Sequence, residues 1–147
     1  MSNFHQFDPG QVKLTLGVSP TPISGYAKGT FIEVERDEDA FKKFVGSDGE
    51  VTRVRNRNTA GMVKITLDQG SQSNAYLSVL ADLDEATGNG VVPMSLVDYS
   101  GVSPITTVSS PQAWCRKRPK VDFAGEADSP RVWIFDMASC IFEVGGN

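Results

Sequence analysis

His5 is the sole histidine of the chain, and Cys115 and Cys140 are its two cysteines. A Ser-His-Asp relay needs an imidazole held between nucleophile and acid. His5 instead lies in a polar stretch, MSNFHQFDPG, with no apolar pattern to fix it. Zinc sites built from His and Cys take four ligands, and one His with two distant Cys falls short. The cysteines read as buried thiols of a protein made in the cytoplasm. No phosphate-cradling glycine motif follows a strand. Asp82, Asp84 and Glu85 resemble the start of a calcium loop, but Ala86 stands at the next ligand position and no Glu closes the loop. The run Glu33, Glu35, Asp37, Glu38 and Asp39 supplies carboxylates that a glycosidase would use at the right separation. A solvated or partner-facing acidic surface is the favoured reading. No catalytic, cofactor-binding or metal-ligating residue is assigned, and no cofactor is expected.

The basic residues are also patterned. Arg53, Arg55 and Arg57 alternate along one strand face, and Arg116, Lys117, Arg118 and Lys120 form a second patch. A nucleic-acid groove would interleave stacking aromatics with such cations. Trp114 flanks the second patch, and the first has none. The net charge is -4, from 14 basic and 18 acidic residues, which argues against a dedicated nucleic-acid binder. Acidic and basic patches on separate surfaces of one small chain suit head-to-tail contact between identical copies.

The elements that must carry these residues are mostly strands. Val occurs 16 times against 7 Leu, and β-branched residues favour pleated strands. The 147 residues predict one domain, 1–147, with residues 1–10 as a polar arm. QVKLTLGV alternates, with Val12, Leu14, Leu16 and Val18 on one face. SPTPISGYAKG is too rich in Pro and Gly for a regular element. TFIEVER is a strand, and DEDAFKKFV is either a helical turn or a strand. Gly46–Gly49 is a turn. EVTRVRNRN and MVKITLD are strands whose spacing predicts a hairpin between 50–57 and 61–68. Val63, Ile65 and Leu67 face inward. A helix over 73–86 starts near Ser71 or Ser73 and stops at Gly88. VVPMSLVDY reads as an edge strand because Pro93 cannot donate to a ladder. SPITTVSS is a strand or extended loop, and RVWIFDMASCIFEV is one bent strand or two short ones. Several strands are apolar on both faces, as with Met62 opposite Val63 and Trp133 opposite Val132 and Ile134. One helix covers little of that, so oligomerisation is expected. No segment has the length of a membrane span or the pattern of a signal peptide.

The blocks GYAKGTFI, GSDGEVTRVRN and GMVKITLDQGSQSNAYLSVLADLD, the W-x-x-K-x-P stretch (Trp114, Lys117, Pro119) and the ending FEVGGN resemble the structural tail-tube proteins of contractile-tailed bacteriophages. The likeness runs from about Val12 to Asn147, and the order of the blocks carries it. It implies an antiparallel β-sandwich or small barrel with one flanking helix, and six-fold rings that stack into a hollow tube inside a sheath. The helix would pack between neighbours. Partners would be identical copies, the sheath protein, and the baseplate and terminator proteins, in a virion tail assembled in the host cytoplasm. Genomic DNA would pass down the lumen without specific binding, and there would be no membrane anchor. Because neutralised phosphates tighten binding, the lumen should be neutral to acidic, with Arg53, Arg55 and Arg57 facing neighbours or the sheath. The alternatives are a fibre or baseplate adhesin, or a glycosidase-like virion hydrolase.

Overall fold

The computed structural model describes residues 4–17, 21–101 and 104–146. Val18 and Ser103, placed above in strand-like segments, lie outside them. The strands are β1 (Val12–Leu16), β2 (Thr21–Ile23), β3 (Ile32–Arg36), β4 (Phe41–Val45), β5 (Val51–Arg55), β6 (Gly61–Leu67), β7 (Val92–Asp98), β8 (Thr106–Lys117), β9 (Arg131–Met137) and β10 (Ile141–Val144). Helix α1 spans Ser73–Thr87, between β6 and β7. The expected class holds: antiparallel, mostly β, with one helix among the described residues.

One sheet runs β2-β1-β7-β8-β9-β6-β3. The long β8 pairs with β10 through Thr106–Ser109 and with β9 through Ala113–Lys117. Its two halves thus carry the two short strands into which the last apolar segment divides. Alternation does the rest. In β6 and β9 every second residue is buried, placing Val63, Ile65, Leu67, Trp133, Phe135 and Met137 in the core. Leu14 and Leu16 of β1, Met94 of β7 and Leu77 of α1 complete the same cluster. Ile32 and Val34 from one end of the sheet share a cavity with Val12 from near the other. The sheet is therefore curled nearly into a barrel.

The helix obeys its sequence signals closely. The Ser71 hydroxyl accepts from Ser73 N–H at 3.2 Å and donates to the Ser24 carbonyl at 2.6 Å. Gly88 closes the helix in the left-handed region, φ 74°, with its N–H on the Asp84 carbonyl. Leu77, Leu80 and Ala81 are buried. The Tyr76 hydroxyl donates to the Leu16 carbonyl at 2.8 Å and Trp133 Nε1 to Asn74 Oδ1 at 2.9 Å. The inner arc therefore packs on the chain's own sheet. Val79 and Leu83 are the large apolar side chains of α1 left exposed.

Three expectations are corrected and one open reading is resolved. The hairpin partner of β5 is β4, not β6, because the tight Gly46–Gly49 turn returns the chain directly; β6 pairs with β3 and β9. β7 is central, between β1 and β8. A register shift between Val92 and Met94 takes Pro93 out of the ladder to β8, and its carbonyl accepts from Gly17 N–H instead. The Pro-rich segment contains strand β2, at an edge where Pro22 is tolerated. DEDAFKKFV resolves to strand β4 preceded by a bend.

Candidate functional site

Several of the acidic residues have structural partners. Arg118 on the β8–β9 connection is clamped by Asp82 and by Glu85 at 3.1 Å, both on α1. Its guanidinium is held further toward the charged form by these bonds to Glu85 and Asp82. Asp84 Oδ1 accepts from Gly90 N–H. Arg116 pairs with Asp136 at 3.2 Å. Burial pushes the Asp136 carboxyl up, with Arg116 opposing. Two of the four cations of the second basic patch, Arg116 and Arg118, are thus paired within the chain. Glu33 and Glu35 lie exposed on one face of β3, with Glu33 beside Lys64 at 3.9 Å. His5 is exposed in the arm. The two cysteines are free, Cys140 buried and Cys115 half-buried. Burial pushes both thiols up, which withholds the thiolate that reacts.

A 230 Å³ pocket beside α1 gathers Gln69, Asn74, Arg131 and Trp133. Its polar groups serve one another. Arg131 Nη1 donates to the Ser129 carbonyl at 2.7 Å, and Ser129 N–H donates to Gln69 Oε1 at 3.2 Å. Asn74 accepts from Trp133 and donates to the Asp68 carbonyl at 3.0 Å. This is a polar seam joining α1 to β9.

The surface that stands out is the β4–β5 hairpin. All ten residues of its strands are exposed, and its strands pair only with each other. The register Phe41↔Arg55, Lys43↔Arg53, Val45↔Val51 puts three cations on one face. Arg53 lies over the Phe41 ring at 4.2 Å. Phe44 is 56% exposed, Val45 60% and Val51 62%. Gly49, φ 89°, supplies the left-handed residue that the turn requires. The base is clamped by Glu38, whose Oε2 accepts from Asn56 Nδ2 at 2.7 Å and Asn58 Nδ2 at 3.2 Å. These two bonds, Asn56 first, hold the Glu38 carboxyl below its ordinary range. An isolated two-stranded hairpin is marginal in water. This one exposes apolar side chains on both faces, uncovered by the other described residues.

The chain is 30% identical, over 96% of its length and 83% of the relative's, to structural protein ORF10 of Pseudomonas phage KPP10. It belongs to that phage structural protein family. No family model matches it. Among solved structures, this phage structural protein has the fold of the tube-terminating cap of the anti-feeding prophage, with TM-score 0.60 over 99% of this chain and 95% of that one, at 8% identity. It matches the sheath/tube terminator of the extracellular contractile injection system PVC equally, with TM-score 0.60 over 97% and 100% of the two chains at 8% identity. The sheath–tube complex of the PVC system follows at 0.56, covering 95% and 92% at 9% identity. At such identities the likeness speaks for the fold.

The structure brings Arg53 and Arg55 together on the hairpin, as the alternation of β5 implies, and places Arg57 beyond the strand. Sequence reading passed over Phe44, Val45 and Val51, the partner of Val45, as a surface. The signal was present in the two-sided pattern F-K-K-F-V before a GSDG turn.

Proposed function

We propose that the protein is a structural subunit of a contractile tail. It assembles with identical copies into rings that stack as the inner tube, beneath a sheath and between baseplate and terminator. Sheath contraction drives the tube through the host envelope, and DNA passes down the lumen without specific binding. No catalytic step is assigned to it. The observation that carries this reading is the near-full-length fold shared with tube and terminator components in a chain whose relative is a phage structural protein. The exposed hairpin supports it, because a heterologous contact between copies closes a ring or propagates a stack.

A second reading is a terminator that ends the tube, favoured by the two terminator folds at 0.60 against 0.56 for the sheath–tube complex. Negative-stain microscopy of the purified protein separates them. Tubes that lengthen with concentration are the expected result. Single rings at every concentration select the terminator. A monodisperse monomer throughout contradicts both readings.

A further inference from the structure

Two exposed surfaces of the chain carry opposite charge together with uncovered apolar side chains. The first is one face of the β4–β5 hairpin. Directly paired residues of an antiparallel ladder share a face, so Phe41, Lys43, Val45, Val51, Arg53 and Arg55 stand together. None of these three cations is in an ion pair among the described residues. The acids of the hairpin lie elsewhere. Glu38, at the base, is acted on by Lys42 of the opposite face. At the tip, Asp48 Oδ1 accepts from Glu50 N–H at 3.1 Å. The Glu50 carbonyl accepts from Gly46 N–H, which extends the ladder by one residue and turns the Glu50 side chain to the Lys42 face.

The second surface is the β8–β9 connection. Every residue from Val121 to Asp128 is exposed, and the stretch holds Asp122, Glu126 and Asp128 and no cation. It also presents Phe123, 76% exposed, and Val121, 65%. Glu126 and Asp128 are in no ion pair among the described residues. The stretch is fastened on both sides. Arg131 lies 3.7 Å from Asp122 and over the Phe123 ring at 5.2 Å, and Ser129 N–H donates to Gln69 Oε1 at 3.2 Å. The rival acidic surface is the β3 face with Glu33 and Glu35. There Glu33 already lies beside Lys64, and β3, β6 and β9 leave no large apolar side chain exposed.

Building on the self-assembly proposed above, we infer that the β8–β9 connection of one copy docks on the Lys43, Arg53 and Arg55 face of a second copy's hairpin. Asp122, Glu126 and Asp128 then oppose those cations, and Val121 and Phe123 cover Phe41, Val45 and Val51. The contact is head-to-tail, and every copy can engage two others. Apolar burial holds the contact, and the opposed charges set its register.

Charge reversal tests it. Lys43→Glu with Arg53→Glu in one variant, and Glu126→Lys with Asp128→Lys in another, should each melt like wild type and lose assembled mass about tenfold. The chain carrying all four changes should regain it. Normal assembly of either double variant, or no recovery in the fourfold one, overturns the inference. Cross-linking gives a reading that does not depend on the reversed variants folding. In a Cys115→Ser background, subunits carrying Val45→Cys are mixed with subunits carrying Ala124→Cys, assembled, and treated with a short bis-maleimide. A link between the two species, formed only in the mixture, is the expected result. Assemblies that form without that link, or that link Val45→Cys to Glu35→Cys in its place, overturn the inference and leave self-assembly standing. Wild-type protein that never self-associates removes both.

Discussion

Tyr26 shows how a single buried atom sets a pH limit. Its ring packs against Phe31 at 4.9 Å between centroids, and its hydroxyl is buried with no hydrogen-bond partner among the described residues. Burial pushes its pKa up from 10.0 to about 12. The folded state therefore disfavours the phenolate. Stability is full below about pH 10 and falls as pH rises toward 12. An unpartnered buried hydroxyl costs roughly 1–3 kcal/mol. Tyr26→Phe is expected to melt at or above the wild-type temperature at pH 7 and to lose part of the decline between pH 10 and 12. Thermal melts across that range check it, and a destabilised Tyr26→Phe would show that the hydroxyl does have a partner.

Among the elements, the hairpin and α1 show opposite ways of being held. α1 is fixed by buried Leu77, Leu80 and Ala81, and each fully buried large apolar side chain stabilises by roughly 1.5–3 kcal/mol. The hairpin has no such anchor and is aimed by hydrogen bonds at its base. Besides Glu38, Asn56 N–H donates to the Ala40 carbonyl at 2.7 Å. Asn58 N–H donates to Asn56 Oδ1, and Ala60 N–H to Asn58 Oδ1. Because the Glu38 carboxyl is held low, its contribution is present above the ordinary carboxylate range and lost as pH falls through its folded value. Glu38→Ala should raise amide exchange at Asn56 several-fold at pH 7 while leaving β6 and β9 unchanged. Wild type should approach that behaviour only as pH falls below the ordinary glutamate range. Equal protection in the two proteins would show that the clamp is idle.

For the molecule as a whole, the distribution of charge limits how copies can be arranged around a bore. Arg116 and Arg118 are spent on internal ion pairs, so the hairpin carries a concentrated, unneutralised cationic face in Lys43, Arg53 and Arg55. In the ring proposed above, a lumen lined with such faces would hold DNA through released counterions. A ring structure should therefore place these side chains against neighbouring copies or the sheath, with a neutral-to-acidic bore. Arg53 and Arg55 pointing into the channel would contradict it. DNA retention that rises as salt is lowered would be the matching solution result.

The alternation of β1, β6 and β9 and the capped apolar arc of α1 were legible from sequence, because side-chain period and cap chemistry are local. Strand partners were not legible. Both β4 and β6 were available to β5, and only the closed Gly46–Gly49 turn decided between them. Pro93 suggested an edge, yet a bulge lets it sit in a central strand, because a missing N–H matters only where the ladder requires one. The apolar cavity likewise exists only once the sheet curls to bring β3 against β7, β8 and β10, joining Ile32, Leu96, Val108 and Phe142 in one surface.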